Sequence, residues 1–168
     1  AFGNVPFAET LTEPTMKKRP EMYEWLVKEL TEIEPNLSEA QPKKSSDANY
    51  GRVDKAAAWM LLSRLYLNAK VYTGTPEWNK AAEYAKKVMD SAYKLNKETV
   101  NGWSAYQMLF MGDNGETDAA YEAIFPILQD GLKTTSWGTT TFLTASTFDG
   151  DMHASMHDKS VVNGLSGQ

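Results

Sequence analysis

Apolar residues recur at 22, 23, 26, 30 and 33 in PEMYEWLVKELTEIEPNL, the spacing of one helical face, and predict a helix over about 20–34. Pro20 suits its first turn, Glu21 and Glu24 suit the positive end of its dipole, and Pro35 stops it. A polar loop follows over about 36–50. A second helix is predicted over about 52–70, with Asp54 in its first turn. Ala57, Ala58, Leu61, Leu62 and Leu65 form its broad apolar face, which Trp59 and Tyr66 extend. So wide a face implies burial against two neighbours. The third helix, about 76–92, has Thr75 as its expected N-cap, Pro76 at its first position and a packing face of Ala81, Ala82, Tyr84, Ala85, Val88 and Met89. Small alanines let two backbones approach, so residues 52–92 read as a helical hairpin.

Beyond residue 100 the pattern loses its period. The stretch WSAYQMLFMG, 103–112, fits a short helix or a strand, and DNGETD is a turn cluster. The run AIFPIL carries a proline and is an edge strand at best. Residues 131–168 are rich in Gly, Ser, Thr and Asp and show no long regular element, a composition typical of binding loops. The expected organisation is a helical scaffold over 1–100 and an irregular, loop-rich portion over 101–168, within one larger domain.

Length and charge narrow the function. A chain of 168 residues, 42% hydrophobic, can build a packed core, and a net charge of −5 gives no basic surface for a nucleic-acid backbone. No apolar run is long enough to span a membrane. The absence of cysteine excludes disulfides, Cys-ligated zinc and a cysteine nucleophile. The start at AFGNVPF and the stop at VVNGLSGQ read as those of an internal piece.

Trp59, Leu62, Ser63 and Tyr66, followed by Ala81 and Tyr84, resemble the tetratricopeptide helix pair. The connection KVYTGTPEW is longer than that repeat allows, and no second copy follows. The ordered blocks FGNVPF, PEMYEWLVKELTEIEPNL, GRVDKAAAWMLLSRLYL, EWNKAAEYAKKVMDSAYKL and EAIFPI resemble the SusD/RagB family of outer-membrane nutrient-binding lipoproteins over roughly residues 1–128. The resemblance implies a mainly α fold with tetratricopeptide-like helical hairpins plus an irregular, loop-rich subdomain bearing a glycan site. It further implies non-catalytic capture of starch or maltooligosaccharide, a TonB-dependent outer-membrane transporter as partner, and a lipid anchor lying outside this sequence. The competing reading is a helical-repeat scaffold for protein partners; a third is a piece of a glycosidase.

Sugars present an apolar face of C–H groups and a rim of hydroxyls, so a site needs flat aromatic platforms with a few polar partners. Trp137, in TTSWGTTTF, has that setting of small hydroxylated neighbours; the alternative is a loop anchor packed inward. Trp103 and Tyr106 are further platform candidates. Asp113 and Asn114 are candidate rim partners, although Asx-Gly is first a turn signal. Trp25, Trp59, Trp78, Tyr66 and Tyr84 sit on helical faces and are expected in the core. His153 and His157, four apart among Asp149, Asp151 and Asp158, could share a metal, but Ala154 stands where a metalloprotease helix needs Glu. Asp90, near a helix C-terminus, opposes the dipole, so a cation, a hydrogen bond to the Ser91–Tyr93 turn or simple exposure should compensate it, with a structural calcium as a further hypothesis. No acidic pair lies in an apolar setting that would raise one pKa for glycoside hydrolysis, so an enzyme is not expected.

Overall fold

The computed structural model describes residues 3–11 and 13–128. The chain divides into a unit Ala1–Pro126 and a unit Ile127–Gln168, and every described helix and strand lies in the first. Five helices dominate: α1 Arg19–Ile33, α2 Lys55–Leu67, α3 Ala69–Thr73, α4 Trp78–Met89 and α5 Ala105–Met108. Single 3-10 turns occupy Glu34–Asn36 and Asp118–Glu122. The opening holds an antiparallel hairpin, β1 Val5–Phe7 with β2 Thr15–Lys17, in which Val5 faces Lys17 and Phe7 faces Thr15.

Helix α1 falls where the apolar period places it, and Pro20 lies in its first turn. The second predicted helix is two. Asn68 leaves helical geometry at φ −96°, ψ 7°, and its side-chain amide donates to the Arg64 carbonyl at 2.9 Å, ending α2 before α3 begins. Gly74, in the left-handed region at φ 86°, ends α3, donating its N–H to the Lys70 carbonyl. Helix α4 begins at Trp78 with Glu77 as N-cap, later than the expected Thr75 cap and Pro76 start. Thr75 is already engaged: its N–H and carbonyl both bond the Thr73 hydroxyl. Glu77 is held in turn by Tyr23 at 2.5 Å and Lys80 at 2.5 Å.

Tyr23, Leu62, Tyr66, Ala69 and Ala81 form the core, flanked by Val27, Leu30, Leu65, Tyr72 and Tyr84. The α2–α4 hairpin is as expected. The Ser63 hydroxyl donates to the Ala81 carbonyl at 2.9 Å, a contact that needs two small residues, and the Tyr66 and Tyr84 rings stack at 5.6 Å. Its packing face is narrower than its sequence: Ala82 and Met89 on α4 and Leu61 on α2 face solvent. The tryptophans depart from the expected core. Trp78 is 57% exposed at the first turn of α4. Trp25 and Trp59 are half-buried, and their indole N–H groups donate to Glu9 at 2.8 Å and Glu34 at 2.7 Å. An indole has one donor, and a helix face near a carboxylate satisfies it at less cost than a dry core would. Of AIFPIL, Ile124 and Phe125 form a bend and no strand forms, since Pro126 cannot donate to a ladder. No described helix is long and apolar enough to cross a membrane.

Burial, reinforced by the Glu77 carboxylate, holds the Tyr23 hydroxyl well above the ordinary 10.0. Burial and Asp54 do the same to Tyr93. A raised folded-state pKa contributes stability that is complete below the unfolded value and is lost as pH rises past it. The melting temperature should therefore fall above about pH 10, and Tyr23→Phe should flatten that slope; an unchanged slope in a pH series of thermal melts would refute the assignment.

Candidate functional site

The Val100–Trp103 segment closes on itself. Val100 and Trp103 exchange two backbone hydrogen bonds, of 3.1 and 2.9 Å, across Asn101 at φ 51° and Gly102 at φ 83°. Two central residues with positive φ make a type I′ turn, which is why Asn-Gly occupies it. Trp103 leaves this turn directly into Ser104, the N-cap of α5. The Gln107 N–H donates to the Ser104 hydroxyl, and the Ser104 N–H to the Gln107 side chain at 3.0 Å. The Asn96 side chain donates to the Ala105 carbonyl at 3.0 Å, tying α5 to the preceding loop. Met108 points inward and is buried.

With Met108 as the inward anchor, the aromatic side chains on either side of it face out. Trp103 is 49% exposed, and Tyr106 and Phe110 are each 71% exposed. The last two meet edge to face, ring centres 5.2 Å apart. Eight residues thus present three neutral aromatic rings to solvent, an arrangement suited to the C–H face of a sugar ring. Phe110 was missed in the sequence; its signal was the i, i+4 spacing from Tyr106.

The polar candidates belong first to their turn. Asn114 donates its side-chain amide to the Leu109 carbonyl at 2.8 Å and its backbone N–H to the Met111 carbonyl at 3.1 Å, while the Glu116 N–H donates to the Asp113 carbonyl at 2.8 Å. Asp113 is exposed, and the Asn114 amide oxygen is in none of these bonds. Asp90 is the C-cap of α4, and both its oxygens accept from Lys86, at 2.7 and 3.0 Å; the compensating cation is thus a lysine one turn back. Trp137, His153 and His157 lie outside the described residues.

Two further features organise this region. Asp54 is fully buried at the N-cap of α2 and accepts four hydrogen bonds: from Ala56 N–H at 2.9 Å, Gln41 N–H at 3.1 Å, Lys43 at 3.0 Å and the Tyr93 hydroxyl at 2.8 Å. The sequence placed it inside the helix, as an ordinary first-turn acid, because the predicted start at about 52 lies ahead of the observed one at Lys55. Gly115 is buried against Tyr50, and its carbonyl accepts from the Ser45 N–H at 2.7 Å. A Cβ there would lie 2.5 Å from the Tyr50 hydroxyl oxygen, so only glycine allows this approach. Nearby, Lys44 pairs with Asp118 at 2.7 Å, which raises the lysine's pKa, and lies 5.0 Å from the Tyr121 ring centre.

No protein-family model matches the chain. The helical hairpin and the turn bearing exposed rings nevertheless have a close counterpart in sequence, because over most of its length the chain is similar to a known protein. It is 46% identical over 149 residues, 87% of its length, to the starch-binding protein SusD of Bacteroides thetaiotaomicron. The chain spans about a quarter, 25%, of that protein's length.

Proposed function

We propose that the protein binds starch or a related α-glucan at the cell surface without cleaving it, and hands it to a TonB-dependent outer-membrane transporter. The observation that carries this reading is the solvent-facing trio Trp103, Tyr106 and Phe110, in a chain SusD-like over 87% of its length. Neutral rings at a rigid turn bind the apolar face of glucose with little ordering cost, because the type I′ turn and the Ser104 cap fix the backbone beforehand. Trp137, among threonines and a glycine, is proposed as a further platform. Attachment at the outer surface through a lipid belongs to the same reading.

Affinity electrophoresis in amylopectin tests it. The wild-type chain should be retarded, and Trp103→Ala and Trp137→Ala should each weaken binding roughly tenfold, about 1.4 kcal/mol. Wild-type protein that runs as in a plain gel would refute glycan capture, and release of reducing ends would make it an enzyme instead.

A further inference from the structure

Beside the aromatic turn lies a half-open cleft of about 310 Å3, walled by Tyr50, Leu109, Phe110, Asn114, Glu122 and Pro126, floored by the buried Ala119 and Ala120, with Ala123 at its exposed edge. We propose that this cleft is a carbohydrate subsite separate from the exposed platform, holding one terminal or branch-point sugar ring of the same glycan. The inference rests on the glycan-binding reading above and adds a second, enclosed contact to it.

Three observations point to a neutral sugar. The cleft is largely apolar, with the rings of Tyr50 and Phe110 among its walls, as the C–H face of a pyranose requires. Its polar groups are mainly acceptors with capacity to spare. Asn114 commits its amide N–H to Leu109, leaving the amide oxygen, and Glu122 accepts the Asn96 N–H through Oε2 at 2.9 Å, leaving Oε1. Such acceptors take hydrogen bonds from sugar hydroxyls, whereas the Glu122 charge repels an anion and a single carboxylate is too little to hold a metal ion. Finally, Phe110 belongs to both places: it lines the cleft and touches Tyr106 edge to face at 5.2 Å. A chain of glucose units lying on the platform runs directly into the cleft.

The walls are held in place. Tyr50 can stand where it does because Gly115 has no side chain, and the Asn114 turn is stapled to the Tyr50 loop by the Ser45 to Gly115 bond. Glu122 is fixed by Asn96, the residue that also anchors α5. The cleft and the platform therefore share their supports.

Calorimetric titration of the full chain with maltotriose and with maltoheptaose tests the proposal, using Ala123→Leu, which adds bulk to the cleft at its exposed edge, and Glu122→Gln, which keeps an acceptor for Asn96 but removes the charge. The wild type should bind the longer sugar at least about tenfold more tightly. Ala123→Leu should erase most of that advantage and leave maltotriose binding and the melting temperature unchanged, with Glu122→Gln giving a smaller loss in the same sense. If both variants keep the full length advantage, or if Ala123→Leu weakens both sugars equally, the cleft is not a separate subsite while glycan capture stands. If the wild type binds neither sugar, the subsite and the function it rests on fall together.

Discussion

Asp54→Ala is expected to destabilise the chain by about 3–5 kcal/mol, because it removes one partner of a buried ion pair and leaves the other behind. The carboxylate is 0% exposed and has Lys43 at 3.0 Å, itself mostly buried. Alanine in its place strands that ammonium, opens the first turn of α2 by deleting the cap bond to Ala56, and leaves the Tyr93 hydroxyl only a long 3.5 Å bond to the Ile124 carbonyl. The cap by itself accounts for roughly 1 kcal/mol; the remainder comes from uncompensated burial. Asp54→Asn should fall between, since its amide oxygen can still cap the helix but cannot balance Lys43. Urea unfolding checks the series, and an alanine midpoint indistinguishable from wild type would refute the account.

Leu62→Ala should cost about 2–5 kcal/mol, the range for deleting a leucine from a closed core. Leu62 is 0% exposed and packs in the cluster of Tyr23, Tyr66, Ala69 and Ala81. The other buried members of that cluster are all tyrosine or alanine, stiff or already small, while Val27, Leu30 and Leu65 at its edge set how far the cavity can collapse. Its neighbour supplies the control. Leu61 faces solvent, and Leu61→Ala should change stability by no more than about 0.5 kcal/mol. Thermal melts of the two variants side by side decide it; equal losses would mean that α2 is buried on both faces, as its sequence alone implies.

That pair marks how far the sequence could be read. The 3.6-residue period placed α1 within a residue of its observed start and identified the α2–α4 hairpin, because these signals are local and repeated many times over. It could not separate Leu61 from Leu62, because a helix apolar almost all round does not say which side meets a neighbour. The break at Asn68 was written as a single asparagine whose amide prefers the Arg64 carbonyl, a signal that an otherwise strong helical pattern hides. The candidate site was partly legible. Trp103 and Tyr106 were recognised from aromatic residues beside a glycine, and the structure displays both. Phe110 and Tyr50 were not, since the first is one apolar residue in an apolar run and the second acquires its place through Gly115, 65 residues away. Asp54 shows the same limit: it reads as a helix-start acid, while its importance comes from Lys43 and Tyr93, partners that only the folded chain brings near.

The Asp54 knot also orders events in time. Its bond to Ala56 is local and can form as soon as α2 does, but the bonds from Lys43 and Tyr93 close loops of 11 and 39 residues in sequence separation. Such closures carry an entropic cost before any contact rewards them, and only that of Tyr93 exceeds the 18-residue separation across which Ser63 meets Ala81 in the hairpin, so the Tyr93 bond is expected to close later than the hairpin. That bond fastens Tyr93, and with it the chain leading to the aromatic turn, to the start of α2. A nascent molecule is consequently expected to acquire its helical hairpin before it fixes the aromatic turn.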